Sequence, residues 1–96
     1  MRLLIGYDVD TTNRAGQKRL RKMAKACEGY GQRVQYSLFE CSLTKPQYEQ
    51  FRHRLTEIMD EEKDNLRIYH LHGNAEEIVE EFGRFRATNF DDPLIL

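Results

Sequence analysis

The chain has 96 residues, of which 40% are hydrophobic and 32% are charged, with a formal net charge of −1 at pH 7. This length has room for one modest hydrophobic core, so we expect residues 1–96 to form a single domain and exclude a second one. A domain of this size buries only about 60–65% of its unfolded surface, which favours a dimer because a second subunit buries more.

The first predicted element is a buried strand over residues 2–9, which are apolar and rich in β-forming residues. The apolar run is too short for a signal peptide and far below the roughly 20 residues of a membrane span. We therefore expect a cytoplasmic protein without a membrane partner. The strand ends at Asp8, and polar residues 10–13 follow as candidate N-caps. Asp8 thus lies where open α/β sheets usually place their ligands.

The second element is a helix from Arg14 to Tyr30, which Gly29 and Gly31 end. Its apolar residues recur at the spacing of one helical face: Leu20, Met23, Ala24 and Cys27. Its basic residues precede any acid: Arg14, Lys18, Arg19, Arg21, Lys22 and Lys25. Such arrays bind phosphate backbones, and the alternative is an ordinary solvated helix face.

The uneven charge along the chain agrees with a basic first half. Residues 1–48 hold nine Lys or Arg against four Asp or Glu, whereas residues 49–96 hold six against twelve. This asymmetry predicts a basic face from the first half and a solvated acidic face from the second.

The segment Arg33 to Leu43 alternates, but its apolar phase changes. One phase contains Val34, Tyr36 and Leu38, and the other contains Phe39, Cys41 and Leu43. A continuous strand cannot change phase without a bulge or a turn. The pattern therefore predicts either two short antiparallel strands with a tight connection or one strand that a bulge breaks near residues 36–39.

The next elements complete a βαββαβ order. Thr44-Lys45-Pro46-Gln47 is a capping box with proline in the first turn of a second helix. After a charged turn over residues 60–64, residues 66–71 form a further β-rich run. This order predicts an α+β, ferredoxin-like fold with a core over residues 1–72.

Residues 73–96 are predicted to form a C-terminal extension. Part of this extension could form a short helix followed by a strand over Ile78–Phe82, and the sequence does not decide whether it does. The chain ends in Pro93-Leu94-Ile95-Leu96, whose aliphatic side chains need a cover from this chain's sheet edge or from a partner's.

Asp8 is the best candidate for a metal ligand. Magnesium needs only one or two protein carboxylates when phosphates and waters complete its coordination, and a two-fold axis beside Asp8 would supply a second copy. Asp10 could share the same side of the chain. The competing interpretation is that both aspartates cap the loop.

Other candidate ligands have ordinary structural interpretations. His70 and His72 alternate along a strand and could chelate a metal, although surface or hydrogen-bonded histidines are commoner. Cys27 and Cys41 form no Cys-x-x-Cys pair, which favours buried thiols over a disulfide or a zinc site. Aromatic residues could stack bases or pack in the core: Tyr7, Tyr36, Phe39 and Tyr69. No P-loop, dinucleotide-binding glycine pattern or nucleophile elbow is present.

Three segments together resemble the small CRISPR-associated adaptation proteins, the Cas-two family. They are Leu4-Ile5-Gly6-Tyr7-Asp8-Val9, then the twelve residues from Tyr30 to Cys41, and Leu66-Arg67-Ile68-Tyr69. The resemblance implies a ferredoxin-like fold, a homodimer and a C-terminal strand that pairs with the partner subunit's sheet, a role that residues 93–96 would suit.

The resemblance also implies a site. The aspartate that ends the first strand, here Asp8, would be the catalytic residue, facing its dimer mate and binding Mg²⁺ or Mn²⁺. Tyr7, Arg19, Arg33 and Phe39 occupy positions implicated around that site.

The leading hypothesis is a metal-dependent endonuclease that acts on DNA or RNA during CRISPR spacer acquisition. Asp8 would bind the metal, and Tyr7, Asp10 and Phe39 would support it. The nucleic-acid backbone would contact Arg14, Lys18, Arg19 and Arg33. The second hypothesis is a non-catalytic DNA-binding scaffold subunit that bridges copies of the CRISPR adaptation integrase. A third is an unrelated RNA-binding or regulatory module.

Overall fold

The computed structural model describes residues 1–71 and 78–84. Within these residues the elements are β1 Arg2–Asp8, α1 Arg14–Glu28, β2 Gly31–Gln35, β3 Leu38–Ser42, α2 Lys45–Ile58, β4 Asn65–Leu71 and β5 Ile78–Gly83. The strands form one sheet in the order β2-β3-β1-β4-β5, and every neighbouring pair is antiparallel. This topology confirms the predicted α+β, ferredoxin-like fold.

The central strand β1 divides its side chains between the two faces of the sheet. Leu3, Ile5 and Tyr7 are buried, whereas Asp8 is exposed on the opposite face. The buried set packs with helix side chains into one core, because successive side chains of a strand point to opposite faces. The fully buried members of that core include Met23 and Cys27 of α1, Phe39 of β3, Phe51 and Leu55 of α2, and Leu66 and Ile68 of β4.

Helix α1 begins close to the loop that follows β1. The side chain of the N-cap Asn13 accepts a hydrogen bond from the Gly16 amide at 2.8 Å, which satisfies one of the open donors of the first turn. A Cβ atom at Gly16 would overlap the carbonyl oxygen of Asp10. Glycine is therefore required where α1 meets this loop.

The change in the alternation of apolar residues between Arg33 and Leu43 has two structural causes. A turn at residues 36–37 joins β2 to β3. The register also shifts between Arg33 and Gln35, which leaves Val34 as an extra residue in β2. The two-strand alternative is thus correct, and a bulge accompanies it.

Helix α2 begins with the predicted capping box. Thr44 accepts a hydrogen bond from the Gln47 amide, and the Gln47 side chain accepts one from the Thr44 amide. The buried residues Tyr48, Phe51 and Leu55 face the sheet. These three side chains belong to the hydrophobic core.

Strand β5 extends the sheet beyond the core. It pairs with β4 from Asn65↔Gly83 to His70↔Ile78, so the strand over Ile78–Phe82, which the sequence left open, is present. Residues 72–77 and 85–96 lie outside the described residues. The possible short helix, His72 and the pairing predicted for residues 93–96 lie there. Among the helices that the structure describes, none is long and apolar enough to cross a membrane.

Candidate functional site

Asp8 is the last residue of β1 and lies exposed on the sheet face opposite the helices. Its register partner across β4 is Asn65. The Asn65 side-chain amide donates hydrogen bonds to the Glu81 carboxylate and to the Arg84 carbonyl, both at 2.9 Å. Asp8 therefore projects from the end of a central strand beside a neighbour that β5 holds in place.

The aromatic residues predicted to support Asp8 lie on the other face of the sheet. The rings of Tyr7 and Phe39 stack with centroids 6.2 Å apart, and the Arg33 guanidinium lies 5.1 Å from the Phe39 centroid. Burial raises the pKa of Tyr7 to about 12, so its hydroxyl stays protonated at neutral pH. Within one protomer these side chains support the strand that carries Asp8 and do not share its face.

Asp10 caps the loop that follows β1. Its carboxylate accepts a hydrogen bond from the Thr12 amide at 3.0 Å, and hydrogen bonding from Thr12 lowers the pKa of Asp10. Its backbone amide donates to the Asp64 carboxylate. The loop-cap interpretation, which the sequence left open for both aspartates, thus describes the observed contacts of Asp10.

A partly buried ion pair fixes this loop. The Arg19 guanidinium donates to both carboxylate oxygens of Asp64, at 2.9 Å from Nε to Oδ2 and 3.3 Å from Nη2 to Oδ1. The same carboxylate accepts hydrogen bonds from the amides of Asp10 at 3.0 Å and Asp60 at 2.8 Å. We call Arg19 and Asp64, with these two amides, the clasp. It joins α1, the loop after β1 and the loop before β4.

The environment of Asp64 favours its charged form. Burial alone would raise the pKa of this carboxyl group, but the hydrogen bonds from Arg19, Asp60 and Asp10 outweigh burial and lower it. The Asp64 side chain is 1% exposed and that of Arg19 is 16% exposed.

Because Arg19 belongs to the clasp, its guanidinium is engaged by Asp64 rather than directed at a nucleic acid. The sequence groups Arg19 with the nucleic-acid contacts, but the geometry places its guanidinium against Asp64. Sequence reasoning also missed Asp64, which it placed in a charged turn.

A stripe of exposed cations runs along α1 on the side away from the core. It consists of Arg14, Lys18, Arg21 and Lys25, which we call the basic stripe. Their spacing of three and four residues puts them on one helix face over about 16 Å. Arg33 lies beyond its end, where its guanidinium contacts Glu28 at 3.4 Å.

The side chains at this position suit a hard divalent cation such as Mg²⁺. Asp8 offers carboxylate oxygens, which such cations prefer, and its register partner on β4 is the amide Asn65 rather than a cysteine or a histidine. Within residues 1–71 and 78–84, no three His, Cys, Asp or Glu side chains are close enough together to hold a metal. A metal at Asp8 would therefore take further ligands from a second subunit, from phosphate and from water.

The remaining candidate ligands have structural roles. His70 packs edge to face on Tyr48 with ring centroids 5.1 Å apart and contacts Glu80 at 3.3 Å. Cys27 and Cys41 are both free and buried, as predicted, and burial raises the pKa of Cys41 to about 11.

Comparison with known proteins agrees with this architecture. Residues 1–78 match the family described as CRISPR associated protein Cas2. The chain is 50% identical over 96 residues to "CRISPR-associated endoribonuclease Cas2 1" of Moorella thermoacetica, covering 100% of both chains. It is also 50% identical over 95 residues to "CRISPR-associated endonuclease Cas2" of Halalkalibacterium halodurans, covering 99% of each.

A solved structure gives the same result. The crystal structure of Streptococcus pyogenes Cas2 at pH 6.5 superposes with a TM-score of 0.71 and 53% sequence identity, covering 77% of this chain and 89% of that one. The chain belongs to the CRISPR-associated Cas2 family.

Proposed function

We propose that this protein is a metal-dependent endonuclease that hydrolyses phosphodiester bonds of DNA or RNA in CRISPR spacer acquisition. The observation that carries the proposal is the exposed Asp8 carboxylate at the end of the central strand. The relatives named endoribonuclease and endonuclease Cas2 support it.

The catalytic unit would be a homodimer with its two-fold axis beside Asp8. Two Asp8 carboxylates would then hold one Mg²⁺ or Mn²⁺. When bound, such a cation stabilises charge on a reacting phosphate and lowers the pKa of a coordinated water. Asp8 supplies negative charge at a fixed position, because β1 is hydrogen-bonded on both sides and the clasp holds the next loop.

Binding of the substrate would fall to the basic stripe. Its exposed cations would contact the phosphate backbone without reading sequence. The loop between β1 and α1 spans only residues 9–13, so Arg14 begins its helix near the strand end that carries Asp8. A nucleic-acid backbone bound to the basic stripe could therefore extend towards Asp8.

The proposal predicts that Asp8→Asn lowers the rate of Mg²⁺-dependent cleavage by at least about 100-fold. The asparagine amide lacks the charge that holds the cation. A bound cation stabilises the transition state by several kcal/mol, and each loss of about 1.4 kcal/mol slows the reaction about tenfold. The measurement is initial cleavage rate on labelled DNA and RNA, with the dimer checked by light scattering. Asp10→Asn is the matched control and should retain most activity. Equal rates for wild type and Asp8→Asn would refute the role of Asp8.

The second candidate function is a DNA-binding scaffold that bridges copies of the CRISPR adaptation integrase. It is favoured by the contacts of Asp10 and Arg19, which serve the loop and the clasp. Of the two aspartates that the sequence assigned to the site, this leaves Asp8 for chemistry. In a cell that acquires spacers, a scaffold role predicts normal acquisition with Asp8→Asn. Loss of acquisition despite normal assembly with the integrase would exclude it.

A further inference from the structure

The turn between β2 and β3 presents an exposed aromatic surface that the proposed chemistry does not use. Tyr36 is 90% exposed and Val34 is 50% exposed. Together with Arg33 and Gln35 they line an open groove. Val34 and Tyr36 are two of the large hydrophobic side chains that remain exposed in the described part of the chain.

The turn is fixed in place although its side chains are exposed. The Tyr7 amide donates to the Ser37 carbonyl at 3.1 Å, and the Tyr7 hydroxyl donates to the Tyr36 carbonyl at 3.3 Å. Both bonds use the backbone of the turn and leave the Tyr36 ring uncommitted to the core. A rigid aromatic ring loses little conformational entropy when a ligand stacks on it.

The same bonds place the turn beside the candidate catalytic residue. Tyr7 directly precedes Asp8 in β1, so the turn lies at the strand end from which Asp8 projects. The basic stripe begins at this end as well, because a loop of residues 9–13 joins β1 to α1. An aromatic surface, an exposed carboxylate and the first cation of the basic stripe thus lie at one end of the molecule.

We propose that Tyr36 is a stacking platform for an unpaired base of a nucleic-acid strand whose backbone lies on the basic stripe. Stacking on an exposed aromatic ring tolerates any base, and cations beside the ring hold the phosphates. The charge of α1 favours this polyanion over an apolar protein partner. This role of Tyr36 rests on the proposed function for the nature of the ligand. It adds that the preferred substrates contain a single-stranded segment.

The test is equilibrium binding of labelled oligothymidylate, oligouridylate and a blunt DNA duplex in EDTA, which excludes metal-dependent cleavage. Tyr36→Ala should weaken binding of the single strands by about 5- to 150-fold, the range that base stacking gives on alanine substitution. Duplex binding should not change. Tyr36→Phe keeps the ring and should bind like wild type, as should Gln35→Ala, which alters a neighbour in the same groove. The two single-stranded probes distinguish DNA from RNA.

Single-strand binding by Tyr36→Ala equal to that of wild type would overturn the inference, as would an equal loss of duplex binding. A change in oligomeric state by light scattering would do so too, because the turn would then be a protein interface. The proposed nuclease fails separately: wild type without cleavage in Mg²⁺, but with the Tyr36 effect intact in EDTA, would leave the platform standing. Neither the conclusion about stacking nor the conclusion about cleavage depends on whether Tyr36→Ala cleaves nucleic acid.

Discussion

Asp64→Ala is expected to lower the free energy of unfolding by about 3–5 kcal/mol, the cost of removing one partner of a buried ion pair. The substitution leaves Arg19 partly buried without its carboxylate and removes the acceptor of the Asp10 and Asp60 amides. For a domain of this length, whose total stability is about 5–15 kcal/mol, that loss is a large fraction. Urea denaturation followed by circular dichroism measures it.

Two further variants separate the ion pair from the hydrogen bonds of the clasp. Arg19→Ala should cost less than Asp64→Ala, because Asp64 would still accept the two backbone amides. Glu61→Ala, at an exposed acid in the same turn, should change stability by no more than about 0.5 kcal/mol. A loss for Asp64→Ala as small as that of Glu61→Ala would show that the clasp does not stabilise the fold.

The contribution of the clasp should also depend on pH. The pKa of Asp64 is lower in the folded protein than the ordinary value of 3.8. Its contribution is therefore present above pH 3.8 and is lost as the pH falls through the lower folded-state pKa. The stability difference between wild type and Asp64→Asn should thus be constant near neutral pH and shrink below pH 3.8. A difference that grows in acid would contradict a lowered pKa.

The second large effect concerns the basic stripe. A triple variant replaces Lys18, Arg21 and Lys25 by glutamine. Because each phosphate contact contributes about 0.9 to the slope of log K against log salt on duplex DNA, losing three should reduce that slope by about 2.7. At roughly 0.1 M salt the affinity should fall by about 10²- to 10³-fold. Fluorescence anisotropy over a salt series measures both quantities.

A control with the same change in net charge tests whether position matters. It replaces exposed cations elsewhere, namely Lys45, Arg54 and Lys63. This variant should keep most of the wild-type slope, because those cations lie outside α1. Equal losses for the two triple variants would mean that net charge governs binding and that α1 is not the contact surface.

The fold was largely readable from the sequence, since its signals are local. The apolar spacing around Met23 predicts α1, and the phase change around residues 36–39 predicts the hairpin. The bulge at Val34 was not located, because a change of phase reports that a residue is inserted but not which one. The stretch before β5 stayed ambiguous because its glutamates give neither a strand nor a helix period.

The site was predicted less completely, because it depends on contacts between distant segments. Alternation along β1 already implies that Tyr7 and Asp8 point to opposite faces. The position of Arg19, four residues before the buried Met23, was a signal that its side chain lies on the buried flank of α1. Nothing local marks Asp64, because its neighbours in the turn are also charged. Two of its partners, Arg19 and Asp10, are 45 and 54 residues away.

The most direct test of the proposed endonuclease is cleavage of end-labelled duplex DNA and single-stranded RNA by the purified wild-type protein in Mg²⁺, Mn²⁺ and EDTA. A metal-dependent endonuclease should cut at least one substrate, EDTA should abolish the cutting, and added Mg²⁺ or Mn²⁺ should restore it. Salt-sensitive binding of both nucleic acids without any cutting in either metal would contradict it and leave the scaffold as the function of this chain.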